Sequence, residues 1–278
     1  MKILTLNTHS LIGEGWERRV SVLADALLLE RVDVIALQEV NQEASFPVIP
    51  ECDGILPRQE EIPLRQGNAA KMIVNALEER GLRYHWCWLP VKRGYGCYDE
   101  GLACLSLERI KKTECFFVSR RHDYESWKTR MVLGIQTEND PTWFFNLHMG
   151  WWQDEEEPFS EQWLRLTPHI EAKQSYWLMG DFNNPAHRRD EGYDLMRRYG
   201  LVDCYAMAQN RWGEGTATAH IDGWQGRERG PALLRIDQIW HNQPIGIAEY
   251  RTVFDGIRYA SVSDHYGVMI CVEDSKRE

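Results

Sequence analysis

A layered α/β fold is predicted by three features of this chain. Apolar runs with strand character alternate with amphipathic stretches of helical period, beginning as strand, helix, strand over residues 1–37. No repeat, low-complexity run or clear linker interrupts them, so residues 1–278 are expected to form a single domain with a sizeable core. Five runs carry side chains that bind metals or move protons: Leu6-Asn7-Thr8, Leu37-Gln38-Glu39-Val40, Asn146-Leu147-His148, Gly180-Asp181-Phe182-Asn183 and Ser263-Asp264-His265. A core does not need Asn, Glu, Asp and His at strand ends, whereas chemistry in a shared cleft does.

The elements follow in order. Met1–Leu6 is a short strand, and Val20, Leu23, Ala24, Leu27 and Leu28 give residues 16–31 helical spacing. Val32–Leu37 is a buried strand leading to Glu39. Residues 41–66 contain four prolines and few periodic apolar positions, and are expected to form a long surface excursion. Asn68–Arg80 is a helix stopped by Gly81. Strands are expected over 82–89, 101–107, 113–118, 131–137 and 142–147, with a Gly/Tyr-rich turn at 93–100. An acidic loop at 154–158 leads into a helix over 159–172, which Pro168 should bend or break. A strand at 175–179, a helix at 191–199, a glycine-rich loop at 205–232 and strands at 234–241, 245–254 and 268–272 complete the chain.

The composition, 43% hydrophobic and 27% charged, is that of an ordinary globular protein. A formal net charge of −10 weighs against sequence-independent polynucleotide binding, which draws its affinity from Lys and Arg on phosphates. No stretch approaches the roughly 20 apolar residues that span a bilayer. The N-terminal residues read as a strand rather than a secretion signal, so a cytoplasmic location without membrane attachment is expected. Seven cysteines with no CxxC pair indicate neither a disulfide framework nor a zinc site. No obligate protein partner is evident.

Asn7 and Glu39 follow strands joined by one helix, so neighbouring strands would carry both oxygen ligands to one edge. Asp264 would add a carboxylate from the far end of the chain, a donor set suited to a hard divalent cation. Asp181 is the candidate general base, and Asn183 the group that holds phosphate or the attacking water. His148 and His265 together suggest hydrogen-bond donors for an anionic transition state. Asp237 lies within an apolar strand, where an unpaired charge is costly, and is expected to pair with His265. Glu100 is expected to orient His148 in the same way. No G-x-S-x-G, phosphate-loop or H-E-x-x-H motif competes with this reading.

In this order, the residues resemble the endonuclease/exonuclease/phosphatase family of Mg²⁺-dependent phosphoesterases, across Asn7 to His265. The resemblance implies a four-layer sandwich, two mixed β-sheets packed face to face with helices outside. It implies Mg²⁺ as cofactor, with Mn²⁺ as an alternative, at Asn7, Glu39 and Asp264. It further implies Asp181 as the water-activating base with Asn183 beside it, His265 with Asp237, and His148 as a second phosphate contact. Glu100 and Arg130 match further positions, and water would attack phosphorus in line with no covalent intermediate.

The fuller strings at 1–10, 98–103, 180–185 and 221–224 are similar to a bacterial subgroup of the maltose 6′-phosphate phosphatase type. A small phosphorylated substrate, a sugar phosphate monoester, is therefore expected, and Trp151, Trp152 and Trp224 are its candidate ring contacts. The alternatives are a nuclease or other phosphodiesterase acting on nucleic acid, a lipid phosphodiesterase, and a non-catalytic binding protein on the same fold.

Overall fold

A computed structural model describes residues 1–218, 221, 223–224 and 233–273. Its elements are β1 (Lys2–Asn7), α1 (Trp16–Glu30), β2 (Val34–Glu43), α2 (Ala69–Glu79), β3 (His85–Gly94), β4 (Tyr98–Ser106), β5 (Ile110–Phe117), β6 (Met131–Thr137) and β7 (Trp143–His148). There follow α3 (Phe159–Ile170), β8 (Tyr176–Asp181), α4 (Gly192–Arg198), β9 (Val202–Asp203), α5 (Cys204–Met207), β10 (Ala208–Trp212) and β11 (Ala217–Thr218). The last are β12 (Leu233–Leu234), β13 (Asp237–His241), β14 (Ile247–Val253) and β15 (Gly267–Val272).

Two mixed sheets carry the fold, one ordered β10-β14-β15-β1-β2-β4-β3 and the other β5-β6-β7-β8-β13-β9. Strand side chains alternate between faces, and both faces of each sheet are apolar. Ile3 enters the core between the sheets, whereas Leu4 packs under the first helices with Leu23, Leu27 and Ile73. On β8, Trp177 and Met179 join the same inter-sheet core, while Leu178 packs with Trp163 and Leu166 of α3. Three apolar layers separate helices, sheet, sheet and helices, which is the four-layer sandwich expected.

Several elements depart from the sequence reading. β2 does not stop near Glu39 but continues to Glu43, because a bulge between Leu37 and Val40 sets Gln38 and Glu39 opposite one residue and lets pairing with β4 resume. Part of the 41–66 excursion covers a sheet edge. Ile55 N donates to Trp86 O at 3.0 Å and Ile55 O accepts from Trp88 N at 3.1 Å, shielding β3. Pro168 lies in the last turn of α3, which ends two residues later. The glycine-rich stretch holds the unforeseen α5, β10 and β11. Among the described residues, no helix is long and apolar enough to cross a membrane.

Candidate functional site

Sheet registry brings the polar residues to one edge. β1 and β2 are parallel with Asn7 opposite Gln38, and β7 and β8 are parallel with His148 opposite Asp181. β13 runs antiparallel to β8, so its first residue, Asp237, faces Asp181. β15 runs antiparallel to β1, so the preceding loop delivers Asp264 and His265 to the same edge. A buried network joins the sheets just below. Gln38 Nε2 donates to Asn146 Oδ1 at 2.7 Å, and Asn146 Nδ2 donates to the carbonyls of Leu37 and Ala103 at 2.9 and 2.8 Å.

Local backbone exceptions aim the side chains. Glu39 sits in the β2 bulge at φ 50°, which turns its carboxylate into the cleft while Gln38 faces the other sheet. Thr8 Oγ1 and Ser10 Oγ both donate to Glu39 O, at 3.0 and 2.6 Å, fixing the bulge. Gly180 has φ 150°, and a Cβ there would lie 1.9 Å from Leu147 O. Its role is therefore close approach of β7 to β8.

The catalytic candidates converge. His265 Nδ1 lies 2.9 Å from Asp237 Oδ2, the pairing expected, and His265 Nε2 lies 3.9 Å from Asp181 Oδ2. His148 Nε2 is 3.7 Å from the same oxygen, and Asn7 Nδ2 donates to it at 3.2 Å. Burial works against charge on His265, but the Asp237 carboxylate outweighs it and raises the imidazole to about 10. Burial, reinforced by the Asp237 charge, raises Asp181 to about 7. Burial and then the Arg130 guanidinium hold His148 well below the ordinary imidazole range. One histidine is thus a cation and the other a neutral hydrogen-bonding group at neutral pH.

Asn183 adopts φ 48°, donates Nδ2 to Met149 O at 3.0 Å and accepts from Trp224 Nε1 at 3.0 Å. Trp224 is buried outside the cleft and holds Asn183 through its indole N–H. Trp152 packs toward Phe159 with ring centroids 6.3 Å apart, and with Trp151, Trp224 and Asn183 it lines an adjoining pocket. Trp151 also lines the cleft. Asp222 lies outside the described residues. Glu100 borders the cleft, but its carboxylate pairs with Lys92 Nζ at 3.1 Å, and no ion pair with His148 forms. The stronger local charge of the ammonium takes the acid that sequence had assigned to the imidazole.

Arg130 is buried beside the cleft, anchored by Nη1 to Trp127 O at 3.2 Å, and Lys92 Nζ reaches the same carbonyl at 2.9 Å. Burial lowers both cations, each further disfavoured by a neighbouring charge or only partly offset by acids. Lys92, Trp127, Tyr95 and His9 are cleft residues that sequence reading did not select. Lys92 was hidden in an apolar strand run, and the others lie on loops without periodic signal.

Two groups of side chains have metal-binding chemistry. Glu39 and Asp264, with side chains 17% and 30% exposed, point hard oxygens into the cleft from the β2 bulge and the loop before β15, as a divalent cation requires. Asp181, Asp237 and His265 also place ligand-type atoms within 4.8 Å of one another. In that second group the His265–Asp237 hydrogen bond already uses Nδ1.

Two sheets face to face, with carboxylates, a charged and a neutral imidazole and two buried cations at one edge, define a hydrolase of phosphate esters. The chain belongs to the endonuclease/exonuclease/phosphatase family: the family model with that description matches residues 4–265. It is accordingly a metal-dependent phosphoric ester hydrolase. The chain is similar to an endonuclease/exonuclease/phosphatase family protein from Leptotrichia buccalis C-1013-b, with 27% identity and TM-score 0.86, covering 99% of this chain and 100% of that one. A mannosyl-6-phosphatase from Bacteroides thetaiotaomicron VPI-5482 shares the fold at 18% identity, TM-score 0.66 and coverage of 99% and 100%. So does D. rerio TDP2 complexed with single-strand DNA product, at 14% identity, TM-score 0.61 and 99% of each chain. No curated protein matches in sequence.

Proposed function

We propose that this protein is a phosphatase of small sugar phosphate monoesters, carried by a single domain. The observation that carries the reading is the cleft itself, about 400 Å³ in volume. That size suits a small ligand rather than a polymer. Its floor holds Arg130, Lys92, His148 and His265, a concentration of donors and positive charge matched to a dianionic phosphate. Its wall carries Trp127 and Trp151, with ring centroids 5.7 Å apart and planes tilted by 60°. Indole faces offer apolar area to the C–H face of a sugar ring. A net charge of −10 and the mannosyl-6-phosphatase activity of one structural relative agree with this reading.

Each residue then has a task. Asp181, held near neutrality, takes the proton of the attacking water. Asn183, fixed by Trp224 and Met149, orients that water. His265 contributes positive charge and Arg130 screens the phosphate oxygens, while neutral His148 donates a hydrogen bond to the phosphate. Glu39 and Asp264 would hold Mg²⁺, or Mn²⁺ in its place, with Asn7 beside them. When bound, that ion supplies a Lewis acid that polarises the phosphoryl oxygens.

The test is phosphate release from mannose 6-phosphate, glucose 6-phosphate and maltose 6′-phosphate with Mg²⁺ and with EDTA, beside a plasmid and a single-stranded DNA. We expect Mg²⁺-dependent release from at least one sugar phosphate, with both DNAs intact. Asp181→Asn should lower turnover by roughly three orders of magnitude while preserving the fold. Cleaved DNA with silent sugar phosphates would replace this reading with a nuclease.

A further inference from the structure

Asn7, the expected partner of Glu39 and Asp264 at a metal, is otherwise committed. Its Nδ2 donates to Glu39 Oε1 at 2.9 Å and to Asp181 Oδ2 at 3.2 Å, and its Oδ1 accepts from His9 N at 3.2 Å. The amide thus serves as a hydrogen-bond bridge between two acids. The side chain that does stand between Glu39 and Asp264 is His9. Its Nδ1 hydrogen-bonds Glu39 Oε2 at 3.2 Å and lies 3.7 Å from Asp264 Oδ1, and an ion bound there would take the place of the proton shared with Glu39. Adjacent ligands around an octahedral ion with bonds of about 2.1 Å are about 3 Å apart and opposite ones about 4.2 Å, so His9 Nδ1 reaches an ion on either acid once the two carboxylates draw together.

The loop around His9 is built to hold this position. His9 has φ 42°, which an L-residue adopts only under local constraint. Arg19 of α1 supplies that constraint: its guanidinium donates to His9 O and Val262 O, each at 3.3 Å, and to Ile12 O at 2.9 Å. One side chain therefore ties the loop bearing His9 to the loop that leads to Asp264.

We propose that His9 Nδ1 is a protein ligand to the catalytic metal, completing a mixed nitrogen–oxygen set with Glu39 and Asp264. The assignment rests on the metal-dependent reading above. An imidazole among carboxylates favours Mn²⁺ over Mg²⁺, since Mg²⁺ selects oxygen. His9 thereby determines metal preference, while Asn7 orients the two acids.

The experiment is electron spin-echo modulation spectroscopy of Mn²⁺ added to the metal-free protein, together with Mn²⁺ and Mg²⁺ titrations by calorimetry. Nitrogen-14 modulation in the wild type, lost in His9→Ala and kept in His265→Ala, is the expected result. His9→Ala should also weaken Mn²⁺ by at least about tenfold, since even outer-shell partners cost that much, and change Mg²⁺ affinity far less. Labelling the unsubstituted protein with ¹⁵N-histidine should replace the nitrogen-14 pattern, a readout that does not depend on folding of a variant. Bound Mn²⁺ with no nitrogen modulation, or modulation that survives in His9→Ala, overturns the assignment and leaves the phosphatase reading standing. Absence of Mn²⁺ and Mg²⁺ binding would strike that reading as well.

Discussion

Burial alone would drive the His265 imidazole toward neutrality, and Asp237, facing it at 2.9 Å, is the largest of the acids that hold its proton, ahead of Asp181 and Asp264. Asp237→Asn leaves the shape and removes the charge. In the metal-free protein we expect His265 to fall from about 10 to below the ordinary imidazole value, so that it is neutral at pH 7. Histidine ¹H–¹⁵N NMR across pH 5–11 follows this directly. A His265 signal still protonated at pH 8 in the variant would show that another group holds the charge. This pairing was legible in sequence because a carboxylate in the run Arg235-Ile236-Asp237-Gln238-Ile239 demands a partner. The partner of Glu100 was not legible. Lys92 lies eight positions earlier in an apolar run, and only the pairing of β3 with β4 places Lys92 opposite Glu100. His9 escaped selection for a similar reason, as nothing near it in sequence discloses that Asp264 comes within 3.7 Å.

At the scale of elements, the site depends on how closely β7 and β8 approach. His148 and Asp181 are opposite one another because the two strands run parallel in register, and Gly180 sits immediately before the acid. A methyl group at Gly180 would meet Leu147 O at 1.9 Å, a backbone atom that no rotamer change can move. Gly180→Ala must therefore part the strands or tilt the end of β8. We expect a loss of at least about 3 kcal/mol, at the upper end of overpacking effects, read as a lower urea midpoint with unchanged slope. A midpoint equal to that of the wild type would mean that the strand end relaxes freely, and would remove Gly180 from the argument. Strand existence was readable from apolar runs, and β6 was placed at its full length. The bulge that aims Glu39 was not, because Leu37-Gln38-Glu39-Val40 carries neither glycine nor proline and the one extra residue is identified only by pairing with β4. The two-residue strands β9, β11 and β12 are too short to carry any period.

For the whole molecule, a second polar cluster far from the cleft ties distant segments together. Glu30, at the end of α1, accepts from Lys2 Nζ at 3.0 Å, from Arg251 Nη1 and Nη2 at 3.1 and 3.2 Å, and from the Tyr259 hydroxyl at 2.8 Å. Arg258 approaches within 3.3 Å. One carboxylate thus binds the first strand, the last helical turn of α1, β14 and the loop after it, segments more than 200 residues apart. Nothing in sequence marked it, since Glu30 closes the buried face of α1 and its cations come from β1 and the final hairpin. Burial opposes ionisation of Glu30, but the hydrogen bonds from Lys2 and Tyr259 and the charge of Arg251 outweigh it and lower its pKa. A carboxylate whose folded value is depressed adds stability above its unfolded value near 4.5, and that stability is lost as pH falls through the folded value. Glu30→Gln should therefore cost about 2 kcal/mol at pH 7. That is less than the full penalty for breaking a buried pair, because the Lys2 and Arg258 side chains, 34% and 55% exposed, regain water. Urea unfolding of both proteins at pH 7 and again at pH 3 separates charge from packing. The gap should shrink at the lower pH, as the wild-type carboxylate titrates toward its depressed folded value. An equal gap at both values would assign the contribution of Glu30 to shape and hydrogen bonding, and would remove charge from the means by which the first and last strands are held in one sheet.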